Sequence, residues 1–243
     1  MRVRFLGCGD AFGSGGRFNT CILLEAGGGR CLLDCGASSL VALKRFGVDP
    51  QTIETILITH LHADHFGGLP FFILDAQFSK RDAPLTIVGP AELRDRLPQA
   101  MEMFFPGSAK TIQKFDLAVL GWESRKRTVI NHLAVTPYEV YHDGTSPFFA
   151  LRVEMEGRVV TYSGDTEWCD ALADAARAAD LFICEAYFYE KRVKSHLDLK
   201  TLEAHLPEVR PKHLILTHLS PDMLARAGAV NHEVAQDGKV IEL

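Results

Sequence analysis

The sequence predicts an α/β fold in which two mixed β-sheets pack face to face with helices outside, and three observations carry that prediction. Short β-branched runs alternate with apolar helical stretches along most of the chain, so strands and helices interleave instead of segregating. Several of those strands stop at a histidine or an aspartate. Ile56-Leu57-Ile58-Thr59 leads into His60, Val159-Val160-Thr161-Tyr162 into Ser163-Gly164-Asp165, and Leu214-Ile215-Leu216-Thr217 into His218. Clefts at the carboxyl ends of strands suit functional sites, because loops converge there on a rigid sheet. The third observation is size: 243 residues with 47% hydrophobic content can bury a large core. With no linker, repeat or low-complexity tract, residues 1–243 read as one domain.

Taken in order, Val3 to Leu6, Thr20 to Glu25 and Arg30 to Asp34 read as strands separated by glycine-rich turns, including Gly27-Gly28-Gly29. Ser39 to Phe46 has a helical pattern, Glu54 to Thr59 is a β-branched strand, and Phe66 to Phe78 is an apolar helix. Pro84 to Val88 follows as a strand and Ala91 to Met103 as a helix. Arg127 to Tyr141, Pro147 to Glu154 and Arg158 to Ser163 suggest a meander, with Glu156-Gly157 as its last tight turn. Helix and strand then alternate through Cys169 to Ala179, Leu181 to Cys184, Leu199 to Leu206 and His213 to Thr217. The tail from Val230 to Leu243, with Asp237-Gly238, reads as a final hairpin. Phe71, Phe72, Phe78, Met103, Phe104 and Phe105 read as the inner faces of a core helix pair in preference to a pocket wall.

Composition excludes several classes. A net charge of −5 argues against a broad face for long nucleic acid, which needs a basic stripe. No run of eighteen apolar residues exists, so no membrane span is expected. Leu6-Gly7-Cys8 has the look of a lipoprotein box, but no apolar stretch of signal-peptide length precedes it, and secretion is not expected. Cys8, Cys21, Cys31, Cys35, Cys169 and Cys184 lie mostly in strand-like runs without a Cys-x-x-Cys pair. They read as reduced thiols of a cytoplasmic protein, and buried thiols are preferred over half of a zinc site for Cys31 and Cys35.

The chemistry concentrates in Thr59-His60-Leu61-His62-Ala63-Asp64-His65-Phe66-Gly67-Gly68, which packs three imidazoles and a carboxylate into six residues. Imidazole nitrogen and carboxylate oxygen suit zinc, manganese or iron. An extended segment sets His60 and His62 on one side, while Asp64 and His65, as the chain turns, address a second position one metal-metal spacing away. Tyr141-His142 closes another strand in the same style. Taken singly, each strand-end residue also fits an ordinary polar terminus or turn; together with the six-residue motif they read as ligands.

Over nearly its full length the chain resembles the metallo-β-lactamase superfamily. Phe5-Leu6-Gly7-Cys8-Gly9-Asp10 is similar to the glycine-rich first strand of the tRNase Z-like branch, and Thr59 to Gly68 matches the metal motif. His142, Ser163-Gly164-Asp165-Thr166 and Leu216-Thr217-His218-Leu219-Ser220 fall in the family's order. Glu185-Ala186-Tyr187-Phe188 and Ser195-His196 are similar to that branch's glutamate segment and additional histidine. Asp165 stands where the lactamases often carry cysteine, which argues against β-lactam hydrolysis. The resemblance implies a metallo-β-lactamase-like αββα sandwich with two divalent metal ions, zinc first, manganese or iron as alternatives. It assigns His60, His62 and His142 to one metal and Asp64, His65 and His218 to the other, with Asp165 bridging. Metal lowers the pKa of bound water from about 15.7 toward about 7, giving a hydroxide nucleophile at neutral pH. Asp64 is expected to orient it, His196 to contact the phosphate or protonate the leaving alkoxide, and Glu185 to hold the His196 tautomer.

One departure narrows the substrate. The tRNA-gripping arm of tRNase Z is inserted between the ligands that match His142 and Asp165, and here that interval holds only strands around Glu156-Gly157. Leu197-Asp198 also follows His196 where the family has small hydroxyl residues. The expectation is therefore a phosphodiesterase for a small or cyclic phosphodiester, not folded tRNA, with no membrane partner and a homodimer as the family's usual assembly. A lactone, thioester or other carboxyl-ester hydrolase and a non-catalytic metal-binding or redox module are the alternatives. His132, His205, His213 and His232 have no partner pattern and read as structural or surface residues.

Overall fold

The computed structural model describes residues 1–144 and 146–243. Its first sheet opens with an antiparallel set, β1 (Arg2–Gly7), β2 (Cys21–Ala26) and β3 (Gly29–Leu33). The β2–β3 connection is a two-residue turn in which Gly27 and Gly28 take φ of 57° and 84°, the left-handed pair that matches strand twist and favours glycine. Helices α1 (Ser39–Arg45), α2 (Ala63–Phe66), α3 (Leu69–Phe78) and α4 (Leu93–Phe104) then serve the crossovers to the parallel strands β4 (Thr55–Leu57), β5 (Leu85–Gly89) and β6 (Leu117–Gly121).

The second sheet begins antiparallel, with β7 (Thr128–Ile130), β8 (Leu133–Val140), β9 (Phe148–Met155) and β10 (Arg158–Tyr162). It continues parallel through β11 (Leu181–Glu185), β12 (Leu214–Thr217) and β13 (Glu233–Val234), served by α5 (Asp170–Ala176), α6 (Leu199–Val209) and α7 (Pro221–Arg226). The last strand, β14 (Val240–Glu242), returns to the first sheet beside β1. Strand orders are β14-β1-β2-β3-β4-β5-β6 and β13-β12-β11-β10-β9-β8-β7, so each sheet has seven strands.

Burial sorts the side chains into layers. Val3, Phe5, Ile22 and Leu24 of the first sheet meet Val135, Leu151, Val153, Val160 and Ile183 of the second in the central core. Leu6, Leu23, Leu32 and Ile56 pack outward on Leu43, Phe72 and Leu97 of the first helical layer. Phe182, Cys184 and Leu216 pack on Leu172, Leu202 and Met223 of the other. The order helix, sheet, sheet, helix is the predicted αββα sandwich. Its central strands are buried on both faces, which is why β4, β11 and β12 read as continuous apolar runs. All six cysteines are buried free thiols. Among the described residues no helix is long and apolar enough to cross a membrane.

Three local expectations are corrected, and one strand had gone unread. The tail is not a hairpin: β13 pairs with β12 in one sheet and β14 with β1 in the other. The Asp237-Gly238 turn makes that crossing because the Asp237 carboxylate accepts from Cys8 N (3.1 Å) and Phe18 N (2.8 Å), fixing the turn to the first sheet. The helix expected over Phe66 to Phe78 is broken at Gly67-Gly68 into α2 and α3. β6, partly exposed at the sheet edge, carries a pattern too weak to be read as a strand beforehand. Finally, Phe72 is in the core, but Phe78 is 82% and Met103 78% exposed, and Phe71 and Phe104 are exposed as well, so α3 and α4 are not a closed core pair.

Candidate metal centre

The candidate residues gather on one rim of the sandwich, most of them just after strands, with Asp64 and His65 in α2 and His196 in the loop between β11 and α6. The chain leaves β4 through Ile58-Thr59 to His60, stays extended at His62 (φ −75°, ψ 148°), and coils into the single turn of α2, which directs Asp64 and His65 inward. Tight backbone contact fixes this segment. A Cβ on Gly36 would stand 2.0 Å from the Asp64 carbonyl, and one on Gly68 2.2 Å from the Gly36 carbonyl, so glycine is required at both. His142 follows β8, Asp165 follows β10, Glu185 is the last residue of β11, and His218 follows β12 with a left-handed φ of 57°.

Two donor groups result. Ligand atoms of His60, His62 and His142 lie within 4.8 Å of one another, as do those of Asp64, His65, Asp165 and His218. Asp165 Oδ2 links them, standing 3.9 Å from His60 Nε2, 3.3 Å from His65 Nε2 and 3.4 Å from His218 Nε2. Asp64 Oδ2 is 3.1 Å from His65 Nε2 and 3.2 Å from His218 Nε2.

The donors fit divalent cations on two grounds. His60 Nε2, His65 Nε2 and Asp165 Oδ1 are buried without a hydrogen-bond partner among the described residues, a costly arrangement for polar atoms that no other ligand satisfies. His65 Nε2 has no hydrogen-bond partner although carboxylate oxygens of Asp64 and Asp165 stand 3.1 Å and 3.3 Å away. Electrostatics supply the second ground. Burial and the neighbouring His65 hold His60 well below the ordinary imidazole range, and burial lowers His62 and His142, leaving neutral nitrogen donors. In the other group, burial opposes every charge but is outweighed. His65 and His218 keep Asp64 ionised, the same two keep Asp165 ionised, and the carboxylates raise His65 well above its usual range and His218 to about 9. That group calls for positive charge.

Outer hydrogen bonds set the rings. His65 Nδ1 lies 2.7 Å from Asp34 Oδ2, and Asp34 also accepts from Thr59 N (2.8 Å) and Thr59 Oγ1 (2.9 Å). Thr59 Oγ1 meets His60 Nδ1 at 3.0 Å, and His142 Nδ1 donates to the Ser195 carbonyl. Each contact leaves Nε2 for the centre. Asp34 was missed as a site residue in the sequence, although it too follows a strand, β3, and the strand-end rule would have found it.

Glu185 and His196 also come together. Glu185 is fully buried, accepts from Thr166 N, and its Oε2 is 2.9 Å from His196 Nδ1. Burial raises the Glu185 carboxyl; burial opposes charge on His196, but the Glu185 hydrogen bond prevails and raises it. The His196 ring stacks on Tyr187 (4.6 Å, 24°), with His142 4.8 Å and His218 5.7 Å away between ring centres. Beside His62 lies a cleft of about 420 Å³ walled by Leu61, Phe66, Met103, Phe104 and Phe148, with Arg96 and Gln99 at its edge. The remaining histidines pair outside this centre: His132 with Glu54, His205 with Glu208, His213 with Glu233 and His232 with Glu203.

An αββα sandwich with this rim of histidines and aspartates defines a metal-dependent hydrolase of the metallo-β-lactamase superfamily, in its tRNase Z-like branch. The family described as anti-Pycsar protein Apyc1 matches residues 1–241, and the chain belongs to that family. A protein named Ribonuclease Z from Agathobacter rectalis is 28% identical over 93% of this chain and 93% of its own length. Among solved structures, human tRNase Z, short form, superimposes with a TM-score of 0.81 at 26% identity, covering 100% of this chain and 99% of that one. A diphosphatase of the PhnP family matches with a TM-score of 0.79 at 19% identity over 100% and 97% of the two chains, which shows the shared fold.

Proposed function

We propose that this chain is a dinuclear phosphodiesterase acting on a small or cyclic phosphodiester, with residues 1–243 as one catalytic unit. The observation that carries the reading is the junction at Asp165, whose carboxylate faces both donor groups beside the Glu185–His196 pair. His60, His62 and His142 would hold one ion, Asp64, His65 and His218 the other, and Asp165 both; zinc suits this donor set, as do manganese and iron. Bound there, the ions supply a water of lowered pKa and offset charge on the phosphate oxygens. Asp64 would orient a water held there and would accept its proton as the new P–O bond forms. Glu185 holds Nδ1 of His196, which leaves Nε2 to give its proton to the alkoxide released when the scissile P–O bond breaks.

Three features support a small substrate. β9 and β10, joined at Glu156-Gly157, leave no inserted arm among the described residues between His142 and Asp165; the net charge is −5; and the adjoining cleft has the dimensions of a small-molecule site. The reading places the chain in the cytoplasm, in keeping with six unpaired buried thiols, and as a homodimer, for which exposed Phe78 and Ile112 supply apolar surface. The test is a parallel assay of the zinc- or manganese-loaded protein on bis(p-nitrophenyl) phosphate, a chromogenic lactone and a tRNA precursor. Preference for the phosphodiester with negligible tRNA processing is expected. Faster lactone hydrolysis, or efficient cleavage at the tRNA 3′ end, overturns the proposal.

A further inference from the structure

Ser195 is a non-glycine residue at φ 79°, a sparsely populated backbone state that persists only where surrounding contacts over-determine it. It is also buried. Both sides of its peptide frame are engaged. Its N–H donates to Glu167 Oε1 (2.8 Å), and its carbonyl accepts from His142 Nδ1. Glu167 is itself tied back to the strand end that carries His142, because its N–H donates to the Tyr141 carbonyl (2.9 Å). His142, Tyr141, Glu167 and Ser195 thus close a ring of hydrogen bonds.

A second ring shares two of these residues. Thr166 N, next to Glu167, donates to Glu185, and Glu185 Oε2 meets Nδ1 of His196, the residue after Ser195. Thr166 Oγ1 further accepts from Tyr141 N (3.2 Å). One left-handed residue therefore sets two side chains at once: its carbonyl turns the His142 ring, and its own turn delivers His196 to the Glu185 carboxylate.

We propose that Glu167 is a positioning residue whose carboxylate holds Ser195 in the left-handed state, so that a single peptide frame orients His142 toward its metal and His196 toward the substrate. The inference rests on the metal assignment made above. Glu167 acts on both rings through Ser195, whose N–H its carboxylate accepts. A carboxylate accepting a backbone N–H makes a charge-assisted bond of the stronger kind, which is what a strained conformation requires. Glycine at position 195 would adopt φ 79° without such support.

The discriminating experiment follows the Nδ1–H proton of His142 by NMR in the zinc-loaded protein, together with zinc affinity by competition with a chelator. In Glu167→Ala the proton should exchange rapidly with solvent, and affinity for the ion held by His60, His62 and His142 should fall by about 10-fold to 100-fold, the scale of outer-contact losses at metal sites. Glu167→Gln, which keeps an acceptor oxygen, should retain most of both. Adding Ser195→Gly to Glu167→Ala should restore them, since glycine needs no clamp. A Glu167→Ala protein with a protected proton and unchanged affinity overturns the clamp, and so does failure of Ser195→Gly to rescue. A wild-type chain that takes up no zinc overturns the metal assignment as well, and is distinguished by that measurement alone.

Discussion

His65 and His218 carry the charge that keeps Asp64 and Asp165 ionised in a buried setting, and this gives metal binding a definite pH dependence. Ligation needs neutral imidazole, so metal uptake near neutrality must expel the protons these two rings hold. His218, raised from 6.5 to about 9, stabilises the metal-free fold fully below pH 6.5 and loses that contribution as pH rises through about 9. Over the same window its proton ceases to compete with metal. The zinc-induced rise in melting temperature should therefore grow from about pH 6.5 to about pH 8.5; thermal melts with and without zinc check this, and a constant or shrinking shift contradicts it. Chemistry at His196 is separable from metal binding. His196→Ala should keep its metals yet lose about 10²-fold to 10⁴-fold in turnover on a phosphodiester with an alkyl leaving group, and less with p-nitrophenolate, which needs little protonation. Glu185→Gln should do less damage, and the two losses should not add, because the residues act as a unit. Steady-state kinetics with both leaving groups measure it; full activity of His196→Ala on both defeats the role. At this scale the clustering of the candidate donors was legible because the six-residue motif is dense in chemistry. Asp34 was within reach of the strand-end rule but stands outside the motif and was passed over, and Ser195 was not legible, since its importance lies in a backbone angle that no side chain announces.

Elements were legible where periodicity was strong and both faces were apolar, as in β4, β11 and β12. They were illegible where long-range contacts decided the outcome. The tail illustrates this: Asp237-Gly238 has the local chemistry of a hairpin turn, yet Asp237 accepts from Cys8 and Phe18, and Gly238 N donates to the Phe5 carbonyl, so the turn belongs to β1 and the strands on either side part to different sheets. Asp237→Ala removes the acceptor of two backbone donors and should destabilise the fold by about 1–3 kcal/mol. Denaturant unfolding checks it, and an unchanged midpoint would show that water replaces the carboxylate at no cost. The α3–α4 pair failed in another way. Apolar content suggested a core, but Met103 and Phe104 wall the cleft and Phe78 faces solvent.

For the whole molecule, the layered order and the placement of the centre on one rim followed from strand ends that terminate in candidate donors, while the crossing of β14 between sheets required the tertiary structure. Both sheets contribute to the centre: β4 brings His60 to His65, while β8, β10 and β12 bring His142, Asp165 and His218. Asp165 is where the two contributions meet, so the central claim is that two ions joined by this carboxylate form the hydrolytic unit. The most direct measurement titrates zinc into the metal-stripped chain while following hydrolysis of bis(p-nitrophenyl) phosphate, for the native protein and for Asp165→Ala. Activity should rise until two zinc ions are bound per chain, and Asp165→Ala should lose more activity than His218→Ala. Full activity at one zinc or fewer per chain, or an Asp165→Ala protein that hydrolyses the diester at the native rate, would contradict the account.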